Sequence, residues 1–335
     1  MSKKIKLSIL DQSPIASHES AADALSNSTA LIKAAEKWGY HRYWVSEHHN
    51  STSLAGSAPE VLIAHLAANT HNIRVGSGGV MLPHYSSYKV AEAFNLLATL
   101  YPNRIDLGVG RAPGTDAPAI YALNAHKGNY DTDKFPQQIN ELKQYTRSSI
   151  QSEVGTLSAS PLPKIAPPIW TLSSSGFGAR HAAQQGVGFA FAHFINPNGG
   201  AEAMKYYKEA FVPQTENDTP NGLACVFVHC ADTNEKALEL QHTMDILMLY
   251  IETGRRIPIA SYEELKDVEL SPAEQGRILQ NRERMIFGTP EKVKSELEQL
   301  AENYDVDEIM AVTITHDFKN RLRSYELLAE AFELN

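Results

Sequence analysis

Glu47-His48-His49 sets two imidazoles side by side behind a carboxylate. Adjacent histidines on an extended segment point to opposite sides, so they cannot share one metal ion as an i, i+4 helical pair can. The arrangement suits one imidazole aimed into a cleft as a base or proton donor near neutral pH. Loop histidines hydrogen-bonded to backbone are the plainer alternative. Gly108-Val109-Gly110-Arg111-Ala112-Pro113-Gly114 resembles a dinucleotide loop only in part. Its third glycine comes one residue late, Pro113 interrupts, and no clear helix is expected for about 20 residues. Arg111 at a strand end among small residues suits an anion, or else a structural salt bridge. Ser173-Ser174-Ser175-Gly176-Phe177-Gly178 leads from a strand into a helix. Free N–H groups and hydroxyls there suit a phosphate, with ordinary N-capping by Ser174 or Ser175 as the alternative. Gly78-Gly79 inside an apolar strand implies a bulge, an unusual peptide geometry, close approach to a flat ligand, or tight packing.

These residues need elements to position them. Short apolar runs at Lys4–Leu10, Tyr40–Ser46, Ile73–Leu82, Ile105–Val109, Pro168–Leu172, Val187–Ala192, Leu223–His229 and Asp307–Thr313 read as buried parallel strands. Helical patterns lie between them, among them Ala21–Trp38, Gly178–Gln185, Asn234–Glu252 and Thr289–Asn303, the last with Pro290 in its first turn. The simplest α/β fold is a (β/α)8 TIM barrel over residues 1–335 as a single domain, with a doubly wound sheet as the rival. In a barrel the active site lies at the carboxyl ends of the strands. Asp11, Glu47-His48-His49, Gly78-Gly79, Met81, His84, Arg111, Ser173–Gly178 and His193 all fall at or just beyond those ends. Gln151–Pro168 reads as an ordered loop. Gly254–Arg284 reads as a lid-like insertion, because connections that long are usually functional or mobile.

The chain of 335 residues carries 30 basic and 39 acidic side chains, a formal charge of −9, with 43% hydrophobic residues. That is enough apolar material for a real core. An acidic chain without a basic run repels phosphate backbones, which argues against a nucleic-acid partner. No apolar run approaches ~18 residues, so no membrane span is expected. The Met-Ser-Lys-Lys start is basic, but the apolar run after it stops at Asp11-Gln12, so it reads as a first strand and not a secretory signal. Cys225 and Cys230 are five apart and would face opposite sides of one strand, which argues against a disulfide or metal site and fits a reducing cytoplasm.

Three motifs in order carry a resemblance: Trp44-Val45-Ser46-Glu47-His48-His49, Val75-Gly76-Ser77-Gly78-Gly79-Val80-Met81-Leu82-Pro83 and Asn103-Arg104-Ile105-Asp106-Leu107-Gly108-Val109-Gly110-Arg111. With Leu10-Asp11-Gln12-Ser13-Pro14 and Gly110-Arg111-Ala112-Pro113-Gly114-Thr115-Asp116, the chain resembles the bacterial luciferase-like monooxygenases along nearly its whole length. The resemblance implies a TIM barrel that binds FMN, reduced during turnover, and uses O2 to oxygenate a small organic substrate. It implies that Arg111, Ser174, Ser175 and Gly176 hold the flavin phosphate and that Gly78-Gly79 forms a cis peptide beneath the ring. His48 matches the catalytic histidine, with His49 beside it. Asp11, Met81, His84, Tyr85 and His193 are expected to line the substrate pocket. Ser174 and Gly178 depart from luciferase, which has glutamate and threonine there. The insertion would cover the site, a separate flavin reductase would supply reduced FMN, and the assembly would be a homodimer. Relatives that use F420, and non-catalytic flavin carriers, are the alternatives.

Overall fold

Runs of β-branched and aromatic residues form β1 (Lys6–Asp11), β2 (Arg42–Val45), β3 (Arg74–Ser77), β4 (Val80–Met81), β5 (Ile105–Gly110), β6 (Ile150–Ser152), β7 (Gly155–Leu157), β8 (Ile169–Ser173), β9 (Gly188–Ala192), β10 (Gly222–Cys230), β11 (Met285–Gly288) and β12 (Glu308–Val312). The computed structural model describes residues 4–125, 127–128, 130–216, 218–255 and 257–334; Met1–Lys3, the beginning of the basic start, lie outside it. Parallel pairing runs β12–β1–β2–β3–β5–β8–β9–β10, and β10 pairs back to β12. Eight strands therefore close into a barrel, which removes the doubly wound alternative.

Side chains alternate between two packed layers, as the pleat requires. Leu10, Trp44, Trp170, Ala190, Phe227 and Met310 point into the barrel. Leu7, Ile9, Tyr43, Val45, Phe189, Phe191 and Val226 point out to the surrounding helices. Cys225 belongs to the inner layer and Cys230 to the outer, and both are free thiols. Arg42, the first residue of β2, plugs the amino end of the barrel: it pairs with Asp106 at 2.8 Å and Glu308 at 2.6 Å and lies over the Trp170 ring at 4.8 Å. That leaves the carboxyl end as the open mouth.

Three segments differ from the sequence reading. Gln151–Pro168 contains the β6–β7 hairpin, whose strands are too short and too exposed to carry an apolar signal. A helix, Ala117–Asn124, begins soon after Gly114, where none was expected; Asp116 caps it by accepting from the Ala119 N–H at 3.2 Å. Asp116 and Pro118 were the available signals, since Asp suits the cap and Pro the first turn.

The insertion is also more structured than its composition suggested. Within 254–284 lie helices Tyr262–Leu265 and Pro272–Arg282, each opened by a capping box, from Ser261 to Glu264 and from Ser271 to Glu274. Leu265 and Ile278 pack on Ile246 and Leu249 of the Asn234–Glu252 helix. Arg277 pairs with Glu252 at 2.7 Å and Arg282 with Asp245 at 2.6 Å. The same helix turns Met244, Leu247 and Met248 to the barrel's interior cluster. It thus packs against the insertion on one side and the interior cluster on the other, and Ile259 of the insertion joins that cluster directly. The insertion then runs into β11, a strand the sequence reading missed. β11 pairs with Phe227–Cys230 of β10, just beyond the point where β9 leaves that edge at Cys225. Among the described residues no helix is long and apolar enough to cross a membrane.

Candidate active site

The exit of β2 separates the two histidines as alternation demands. Ser46 and His48 lie together, Oγ to Nδ1 at 3.0 Å, while Glu47 and His49 lie together, Oε1 to Nε2 at 2.7 Å. Trp44, in phase with Ser46 and His48, is an interior residue, so His48 is the imidazole turned to the mouth. Its Nε2 has no protein partner among the described residues. Burial pushes its pKa down to about 4, against a smaller upward pull from Glu47 and with a further downward push from His49, so the ring is neutral at neutral pH.

Glu47 faces away from the mouth and is 1% exposed. Its Oε1 also accepts from the Tyr85 hydroxyl at 2.7 Å, and its Oε2 accepts from the Met81 N–H at 3.0 Å. His49 extends this anchor to the loop after β5: its N–H donates to Gly114 O at 3.2 Å, and its carbonyl accepts from Thr115 Oγ1 at 2.8 Å. His84 holds the same loop from the far side. Its Nε2 donates to Pro113 O at 2.8 Å, and its Nδ1 accepts from Asn124 Nδ2 at 2.9 Å, a pairing that only the neutral Nε2–H tautomer satisfies. Burial lowers the pKa of His84 in agreement.

That loop presents Arg111. Its carbonyl accepts from the Tyr130 hydroxyl, and its exposed guanidinium lies 4.0 Å from the centroid of Phe177. No carboxylate pairs with it among the described residues, so the structural salt bridge is not formed. Phe177 sits in the first turn of the Gly176–Gln185 helix, on the far wall of the mouth. Ser175 occupies the N-cap position, yet its side chain makes no capping bond. Its N–H donates to Ser173 Oγ at 3.2 Å, and Asn196 Nδ2 donates to Ser174 O at 3.2 Å, which fixes the turn. The first-turn N–H groups are thus left for another acceptor. A Cβ on Gly176 would meet open space, whereas one on Gly178 would lie 2.2 Å from Ser173 Cβ. Close helix–strand packing therefore forbids threonine at 178, which accounts for that departure from luciferase.

Gly78-Gly79 separates β3 from β4, and its peptide is cis. A Cβ at Gly78 would lie 2.6 Å from Leu10 Cδ1, and one at Gly79 2.7 Å from Gly108 O. Backbone atoms close in on Gly79, so packing alone requires glycine there, whereas at Gly78 the nearest atom is the tip of the Leu10 side chain, with Trp44 Cβ at 3.1 Å.

The luciferase-like monooxygenase family description matches residues 5–326 of the chain. The chain belongs to the luciferase-like monooxygenases. YwcH, an uncharacterised protein of Bacillus subtilis, is 52% identical over 98% of this chain and 99% of its own length. The N-acetyl-S-alkylcysteine monooxygenase of the same organism is 38% identical, covering 98% of each chain. Among solved structures, apo-MsnO8 superposes with a TM-score of 0.90 at 36% identity over 99% of both chains.

Within this luciferase-like barrel several expected pocket residues turn away from the mouth. Asp11 is in phase with the outward-facing Leu7 and Ile9 of β1. It is fully buried, where it accepts from Arg321 and, at 2.6 Å, from the Tyr43 hydroxyl. It joins the barrel to the Phe318–Ala331 helix. His49, His84 and Tyr85 form the wall behind the loop after β5, for the reasons given by their bonds. His193 is in phase with Phe189 and Phe191 of the outer layer, and it bonds Tyr304 Oη at 3.0 Å and Glu283 O at 3.3 Å. Met81 stays at the rim; Cβ atoms on Gly110 or Gly114 would contact its side chain at 3.2 and 3.0 Å. The residues brought together at the mouth are therefore His48, Gly78, Gly79, Met81, Arg111, Ser174, Ser175 and Gly176. Ser46, Glu47 and Phe177 stood inside the sequence motifs but were given no role of their own. Alternation along 44–49 signals the first two, and the helix-start position signals the third.

Proposed function

We propose that the mouth binds FMN and that the chain is an FMN-dependent monooxygenase, passing one oxygen atom of O2 to a small organic substrate. The observation that carries this reading is Arg111. An arginine without a carboxylate among the described residues, stacked on Phe177 at an uncapped helix start and facing the same mouth as the open Nε2 of His48, fits a phosphate-bearing cofactor. Arg111, Ser174, Ser175 and the Gly176 backbone would hold the phosphate, and the Gly78-Gly79 peptide would lie against the flat ring. FMN supplies, when bound and reduced, the chemistry that activates O2. His48 supplies proton transfer: its neutral ring presents Nε2 to the mouth, and the Ser46 hydroxyl at Nδ1 can adjust to either tautomer. The Asn234–Glu252 helix, backed by the insertion, keeps water from the interior cluster.

The relative named for N-acetyl-S-alkylcysteine makes a small thioether the first substrate to try. A separate reductase is needed for FMN, because the sequence holds no nicotinamide-binding motif. A cytoplasmic homodimer completes the reading on family resemblance. The test is titration of the protein with FMN and with F420, followed by O2 uptake in the presence of a flavin reductase and a thioether panel. FMN binding with substrate-dependent O2 uptake is expected. Binding of F420 without FMN, or FMN binding with uptake that no substrate stimulates, would overturn it.

A further inference from the structure

His229 lies near the carboxyl end of β10, in phase with Leu223, Cys225 and Phe227 of the interior cluster, while Ala224, Val226 and Val228 face the helices. Alternation turns its ring inward, and it is fully buried. Its Nε2 is 3.0 Å from the Ile314 carbonyl oxygen. A carbonyl only accepts, so Nε2 carries the proton and Nδ1 presents a bare lone pair. That Nδ1 is buried and has no hydrogen-bond partner among the described residues. Burial lowers the imidazole pKa, outweighing the upward pulls of the Ile314 bond and Asp245, so the ring remains neutral at neutral pH.

A second acceptor in the same state comes from the Asn234–Glu252 helix. Gln241 uses its Nε2 on Asp245 Oδ1 at 2.9 Å and on Met285 Sδ at 3.3 Å, and its Oε1 is left buried without a donor among the described residues. Asp245 is occupied by Gln241 and Arg282. Buried acceptors without donors are rare and costly, and they persist where a ligand or water supplies the missing hydrogen. Met244, Met248, Met285 and Met310 belong to the cluster that surrounds this end of the barrel. Their unbranched thioethers shift to admit an apolar guest more readily than branched side chains would.

We infer that this side of the mouth is the polar end of the substrate pocket, where His229 Nδ1 accepts a hydrogen bond from an N–H or O–H of a largely apolar substrate, with Gln241 Oε1 as second acceptor. The inference rests on the mouth being the flavin and substrate site. It makes His229 a specificity determinant, selecting molecules that carry a donor over isosteres that lack one. Nδ1 is buried, so the substrate reaches it by displacing a neighbouring side chain.

The probes are N-hexylacetamide, which has one N–H, and its N-methyl derivative, which has none. Calorimetric titration of the full chain, with and without oxidised FMN, should show the secondary amide binding about tenfold tighter than the tertiary one. In H229F and, separately, Q241L the preference should shrink. Nitrogen-15 spectra of wild type with labelled histidine should show a proton on Nε2 and a bare Nδ1, with the Nδ1 resonance moved by the secondary amide alone. Equal binding of the two amides, no binding of either, or a protonated Nδ1 in the free protein would overturn the inference. The wild-type spectra make this decision even if a variant does not fold. Failure of FMN to bind would instead strike the flavin reading, because the amide comparison is also made without it.

Discussion

Replacing Glu47 by glutamine keeps the volume of a buried side chain but removes its charge and one of its two acceptor oxygens. In the wild type Oε1 meets the Tyr85 hydroxyl and His49 Nε2, both at 2.7 Å, and Oε2 meets the Met81 N–H at 3.0 Å. One orientation of the new amide sets its NH2 against the Met81 N–H, donor against donor. The other keeps Met81 but takes the acceptor from Tyr85 and His49. Either way a bond to a charged acceptor is lost, and in the first orientation a buried donor is also left unpaired, a destabilisation of about 3 kcal/mol. A chain of 335 residues has an unfolding entropy of roughly 0.7 kcal/mol/K near the midpoint, so Tm should fall by about 4 °C. Y85F removes only one of these bonds, about 1 kcal/mol, and should lower Tm by about 1–2 °C. Since Met81 and His49 brace the loop that presents Arg111, FMN affinity should weaken in E47Q as well. Scanning calorimetry and a flavin fluorescence titration measure the two effects. A Tm within about 1 °C of wild type together with unchanged FMN affinity would refute the view that this carboxylate holds the site together.

Other substitutions separate the mouth from its supports. R111A should weaken FMN by about tenfold to a hundredfold, the loss of charge-assisted bonds worth about 1.5–3 kcal/mol, while an exposed side chain leaves Tm nearly unchanged. D11N should do the reverse. Breaking the buried pair with Arg321 costs about 3–5 kcal/mol, readable as a lower Tm, with FMN affinity preserved. Burial alone would raise the Asp11 pKa, but Arg321 and the bonds from Ser28 and Tyr43 hold it below 3.8, so its stabilisation is present at neutral pH and is lost only as pH falls below that value. His48 titrates in the opposite sense. Its folded pKa of about 4 lies below the ordinary 6.5, so the unfolded chain takes up the proton first and stability declines as pH drops from 6.5 toward 4. In H48Q that part of the decline, roughly 2–3 kcal/mol, should disappear from the pH dependence of Tm. H48A should bind FMN as wild type does and lose substrate-dependent O2 uptake.

Much of this was legible in the linear chain. Apolar runs of strand length, separated by helical periods, determined eight parallel strands, because a strand covered by helices outside and packed side chains inside must be apolar on both faces. The opposite orientation of His48 and His49 followed from alternation, as did the opposed layers of Cys225 and Cys230. The β6–β7 hairpin, β11 and the Ala117–Asn124 helix escaped because short elements held by neighbours carry little periodic signal of their own.

What only the tertiary structure decided was which side of each strand faces the mouth and which charges find partners. Residues 11, 49, 84, 85 and 193 all stand at strand ends, yet their side chains serve the layer behind the mouth, because that direction depends on how each strand is rotated in the closed barrel. Asp11 and Arg321 are 310 positions apart, and Glu47 meets Met81 and Tyr85 across 34 and 38. No local pattern records such pairings. The sequence by itself determined the barrel and the end at which chemistry gathers. Packing left Arg111 and His48 Nε2 open to that end and sealed Asp11 and Glu47 behind it, since a buried charge must be paired and hydrogen-bonded.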